Sequence, residues 1–148
     1  MRRVLLLVLA TLWLLPAVAR AYDFGDNRSV TITTKAWEAL SKGDVEAVLA
    51  YTNKCLELYA DPAKKMQSSL NEYPEGDKDK IFSFWALNDV GTVLFIQGEA
   101  YKKEGKSSEA KVVFKKLVDD FYYSQCWDPQ GWFWKPAEAA QQKLDELS

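Results

Sequence analysis

Histidine is absent from all 148 residues, and that absence decides a good deal. It excludes Ser-His-Asp and Cys-His nucleophilic catalysis, the usual histidine-bearing zinc sites and any pH switch through an imidazole. Cysteine is scarce: Cys55 and Cys126 are the only two. Cys55 falls on the apolar face of an expected helix, where a thiol behaves as a small hydrophobe. Cys126 lies among aromatic residues. Neither sits in a metal-binding spacing, and the context favours two unpaired thiols over a disulfide. The few glycines include no phosphate-cradling loop, because Gly91 and Gly98 fall inside a helical pattern. Nothing in the sequence asks for a cofactor or a metal.

Long apolar runs are missing too, except at the N-terminus. Arg2 and Arg3 precede the run Val4 to Leu15, followed by Pro16 and the small-residue pattern Ala19-Arg20-Ala21. This reads as a secretory signal peptide over residues 1–21. The run is too short to span a bilayer comfortably, so the mature chain is expected to be exported, periplasmic or secreted, with no membrane span. Cleavage leaves 127 residues, enough for one domain with a real core. It removes three of the 19 basic residues and none of the 21 acidic ones, moving the net charge from −2 to −5. An acidic surface argues against a nucleic-acid partner.

The periodicities are helical almost throughout. Residues 22–32 read as a flexible segment, with Val30 to Thr33 too short for a useful strand, and residues 33–148 as one helical domain. Thr33 or Thr34 can cap a first helix that ends at Gly43, and Asp44 caps a second, VEAVLAYTNKCLELY. Asp61-Pro62 reads as the start of an inserted helix carrying Met66, Leu70 and Tyr73. Pro74 to Asp77 breaks the chain. From Ile81 an apolar helix is expected to continue to about Lys103. Gly105 supplies the left-handed residue that ends it, and Ser107 or Ser108 can cap the next. Asp128-Pro129 looks like another helix start, and Lys135-Pro136 opens a terminal helix that covers the end of the stack. The fold class is all-α, with about six helices.

The stretch Leu94 to Leu117 carries the most specific signal. Gly98, Tyr101, Gly105, Ala110 and Phe114 are three, four, five and four residues apart. Gly98 and Ala110 lack bulk and let two antiparallel helices approach, while Tyr101 and Phe114 fill the flanks. This spacing resembles a tetratricopeptide repeat. A weaker second copy appears when Gly43 is laid on Gly105, 62 residues away, so something extra lies between the two. The segment FIQGEAYKKEGKSSEAKVVFKKLVDDF, followed by a terminal alanine-rich helix, is similar to the repeats of tetratricopeptide-like proteins of the bacterial envelope. The resemblance covers residues 34–59 and 92–121. It implies a helix-pair solenoid with a capping helix, and a non-catalytic scaffold that holds a protein or peptide in a groove lined by the first helix of each pair. By register the groove residues would be Trp37 and Leu40, then Phe95, Glu99, Lys102 and Lys103. Trp37 and Phe95 would be apolar anchors, and the charged residues would fix complementarity. Whether the insert at 62–79 fills that groove stays open.

Between Phe121 and Trp134 lie seven aromatic residues, where such a repeat ordinarily ends in a short turn. Trp127, Trp132 and Trp134 could stack on sugar rings or anchor a partner. The plainer role is to plug the end of a short solenoid. A carbohydrate-binding or glucan-acting protein using residues 121–134 is therefore a second reading, which requires coplanar exposed rings. For an enzyme it also requires two facing carboxylates, and the sequence offers none. A third reading is a self-associating structural protein, a homodimer, because two repeats alone bury little.

Overall fold

The computed structural model describes residues 20–148. The expected signal peptide lies outside the described residues except for Arg20 and Ala21. Six helices and one hairpin are found among them: α1 (Ser29–Lys42), α2 (Val45–Ser68), α3 (Lys78–Phe82), α4 (Trp85–Lys103), α5 (Ser107–Asp120), β1 (Cys126–Asp128), β2 (Trp132–Trp134) and α6 (Pro136–Glu146). The all-α class holds. No described helix is long and apolar enough to cross a membrane.

α4 touches every other helix and β1. Its side chains are buried around most of the circumference, as its continuous apolar sequence requires. α1 and α6 flank it on one layer, while α2 packs against α1 and α4, and α5 against α4 and α6. The main core gathers Val90, Val93, Leu94, Phe114, Leu117 and Phe121 between α4, α5 and the following loop. A second cluster joins Ala36, Leu40, Val48, Ile96 and Ala100 across α1, α2 and α4.

Two turns carry the same chemistry. Gly43 and Gly105 both take left-handed φ, 70° and 72°. The N–H that follows each returns to the carbonyl five residues back, Asp44 to Ala39 and Lys106 to Tyr101, at 3.0 Å in both cases. Asp44 also accepts from the Ala47 N–H at 3.1 Å, capping α2 as expected. Neither Ser107 nor Ser108 caps α5; Ser107 is already its first residue, and Lys106 precedes it without a side-chain cap. The space that Gly98 leaves open on α4 is filled by the Phe114 ring of α5 rather than by an approach of Ala110. A Cβ there would lie 2.3 Å from Phe114 Cε1.

Several elements differ from expectation. α1 begins at Ser29, four residues before Thr33, because Ile32 and Ser29 are themselves buried. The segment before it is docked, not free: Tyr22 and Phe24 meet the Tyr51 ring edge-on at 5.9 and 5.8 Å. α2 runs through Pro62 without restarting. Proline removes one helical hydrogen bond, and the burial of Ala63, with Met66 packed against the core, offsets that loss. The long helix from Ile81 is cut at Ser83-Phe84. Asp77 caps the short α3, and Asn88 Nδ2 donates to the Ile81 carbonyl at 2.9 Å, closing its end. Finally, Asp128-Pro129 opens a turn, not a helix.

Candidate binding groove

The hairpin explains itself locally. Asp128, Pro129 and Gly131 occupy first, second and fourth positions of a tight turn, where aspartate, proline and glycine are each favoured. Asp128 Oδ1 accepts the Gln130 N–H at 2.8 Å, its carbonyl accepts the Gly131 N–H at 2.9 Å, and Gly131 takes φ 105°. Cys126 pairs with Trp134, Trp127 with Phe133 and Asp128 with Trp132. Side chains alternate between the two faces. Trp127 and Phe133, 4.9 Å apart, turn to Phe82 on α3. Cys126, Asp128, Trp132 and Trp134 turn to the layer formed by α1, α4 and α6.

There the two sets of residues singled out in the sequence meet. The Trp134 ring lies 5.1 Å from Phe95 on α4 and 6.4 Å from Trp37 on α1. Together with Trp127, Trp132 and Glu138 they line an open cavity of about 670 Å³. Trp132 is 53% exposed and Trp37 36%. A second cavity of about 740 Å³ continues on the other side of Trp37, Cys126, Trp127 and Pro129, bounded by α1, α4, Tyr59 and Phe82. The two share Trp37 and the hairpin as a common wall; the first also reaches α4 and α6, and the second α2, α3 and α4.

The remaining groove residues are placed elsewhere. Leu40 is buried and its carbonyl accepts from Lys103 Nζ at 3.0 Å. Lys102 pairs with Glu146 of α6 at 2.9 Å. One Glu99 carboxylate oxygen is buried without a hydrogen-bond partner. These four line neither cavity. α6 packs against α4, and its Glu146 engages Lys102 in a surface ion pair. The hairpin, not the 62–79 insert, is what narrows the groove, since no residue of that insert lines either cavity.

No known protein family, curated protein or solved structure matches this chain.

The aromatic segment serves two ends. Phe121 is fully buried and Tyr123 donates from its hydroxyl to the Asn71 carbonyl at 2.7 Å, so these rings close the core. Trp127, Trp132 and Trp134 face the groove instead. Their neighbours are steeply inclined, with interplanar angles of 63° for Trp37 and Trp134 and 69° for Phe95 and Trp134. The coplanar platform that a sugar ring would need is not formed by these pairs.

Two groove residues had no signal in the sequence. Asn88 accepts the Gln125 N–H at 2.9 Å while holding α3, and so ties the hairpin's approach to α4. Asp89 lies one residue on, inside the second cavity, and accepts from Ser29 Oγ at 2.5 Å. Burial pushes its carboxyl above the ordinary aspartate value, and the Ser29 bond partly opposes this. A lone aspartate in an apolar helix pattern gives no such warning, because only the neighbours brought by α1 make it a site. Both cysteines are free; burial pushes Cys55 up to about 12.

Proposed function

We propose that this chain is an exported, non-catalytic binding module of the tetratricopeptide type, which holds an extended segment of a partner protein in the groove between α1 and α4. The observation that carries the reading is the meeting of Trp37, Phe95 and Trp134 on the wall of an open cavity that Trp127 and Trp132 also line. Exposed tryptophans grouped around a concavity are the composition of an interface anchor. The alternation of contacts supports the repeat reading. α1, α4 and α6 act as first helices, and α2 and α5 pack behind them. The matching turns at Gly43 and Gly105 support it as well.

The test is a selection of displayed random peptides against the purified protein, followed by affinity measurements with Trp37→Ala and Trp132→Ala. Both rings are exposed, so circular dichroism should show folded variants. Selected peptides are expected to lose about tenfold or more in affinity for each variant. Peptides that bind both variants as tightly as the parent would remove the groove from the function.

A further inference from the structure

The second cavity has a different chemistry from the first. Its floor carries a carboxylate. Asp89 holds one hydrogen bond, from Ser29, and no lysine or arginine among the described residues forms an ion pair with it. Thr33 lines the same cavity, but its hydroxyl oxygen is turned into the protein, beside Cys55 and away from the open space. The Cys55 thiol beside it is a weak partner. A half-buried carboxylate without a cation is costly. That cost is relieved by a ligand that brings positive charge and donors.

The walls suit such a ligand. Tyr59 meets Trp85 at 5.5 Å and 82°, and Phe82 meets Trp127 at 6.3 Å and 66°. These are corners that present ring faces from more than one direction, not a flat platform. Ring faces attract cations, and the chain already uses one: Lys78 Nζ sits 3.8 Å from the Trp127 ring centre. Trp85 and Phe82 are 46% and 45% exposed and leave the cavity open to solvent. Arg28 is the one basic residue of the lining and lies on the exposed rim, where its charge acts against a cationic ligand.

We propose that this cavity is a binding site for a primary alkylammonium group. Asp89 is its counter-ion and acceptor, and Tyr59, Phe82 and Trp85 are its walls. N–H donors distinguish a primary ammonium from a quaternary one, which could satisfy the charge but not the hydrogen-bond demand of the Asp89 carboxylate. The group could belong to a free amine or to a lysine side chain of the segment held in the groove. The chemistry is the same, and it does not depend on the peptide reading.

Indole signals in proton–nitrogen NMR spectra of the purified protein would be followed during titration with n-butylammonium, tetramethylammonium, n-butanol and Nα-acetyl-lysine methylamide. Saturable shifts of Trp85 are expected with n-butylammonium. Asp89→Asn should weaken this binding by about tenfold or more, and Trp85→Ala, which alters an exposed wall, should weaken it independently. Trp132→Ala lines only the other cavity and should leave it unchanged, so loss of peptide binding and loss of ammonium binding are separable. Tighter binding of the lysine derivative than of n-butylammonium would support the site and assign it to a peptide side chain. The reverse order would support it and assign it to a free amine. Equal binding of n-butanol, equal binding of tetramethylammonium, or unchanged affinity in Asp89→Asn would overturn the proposal.

Discussion

Asp89 and Gly98 show how much of this protein rests on single positions. Burial raises the Asp89 carboxyl above its ordinary value, so the folded state holds that proton more tightly than the unfolded chain does. The stability this provides is fully present below the ordinary carboxylate range, near about pH 3.9. It is lost as pH rises through the raised folded value, and neutral pH carries the burden of a buried charge. Asp89→Asn keeps an acceptor for Ser29 and should therefore raise the melting temperature at neutral pH, with the advantage disappearing on acidification. A scan of melting temperature against pH for both proteins checks the sign. Gly98 is permitted no side chain, because its Cβ would meet the Phe114 ring at 2.3 Å. Gly98→Ala should destabilise by about 1–3 kcal/mol in urea unfolding, the usual range for overpacking. The thiols should differ too. Cys55 is fully buried and pushed up to about 12, while Cys126 is partly buried. An alkylating reagent near neutrality should modify Cys126 first, as peptide mapping would show.

At the scale of elements, legibility followed how local each signal was. The turns at Gly43 and Gly105 could be read because a left-handed residue is a backbone requirement that one residue type meets best. The helix from Ile81 could not be read correctly, because its break is held by Asn88, whose side chain reaches back to Ile81 only in the folded chain. Pro62 misled in the other direction: a proline that could open a helix sits inside one, tolerated by packing on α4. Asp128-Pro129 is ambiguous by nature, since the same pair suits a helix start and a tight turn; Gly131 and the alternating Trp132-Phe133-Trp134 favour the turn. Gly131 at φ 105° is the residue on which the hairpin depends. Gly131→Ala should cost about 1–2 kcal/mol locally. Because the hairpin carries Trp132 and Trp134, it should also lower affinity for groove-selected peptides, with far-ultraviolet helix content unchanged.

For the whole molecule, α4 is the common contact of every other helix, and α6 packs chiefly on α5 and less on α4. Opening free energies should follow that order. Hydrogen exchange is expected to be slowest in the buried centre of α4, from Val90 to Leu94, and fastest in α6 and the hairpin. Equal protection across α4 and α6 would mean that the chain opens as a single unit.

What the sequence determined alone is whatever depends on neighbours within a turn or two: the helical class, the two glycine turns, the cap at Asp44, the apolar face of α4 and the lack of histidine chemistry. The tertiary structure decided which of those faces remain open. α6 took Lys102 through Glu146, the core took Leu40, and the hairpin brought Trp134 between Trp37 and Phe95. It also set Ser29 and Thr33 opposite Asp89, turning a helix residue without a motif into the floor of a cavity. These contacts join residues roughly 40 to 100 positions apart. No period or local propensity encodes such pairings; they follow from which buried surfaces the helices share.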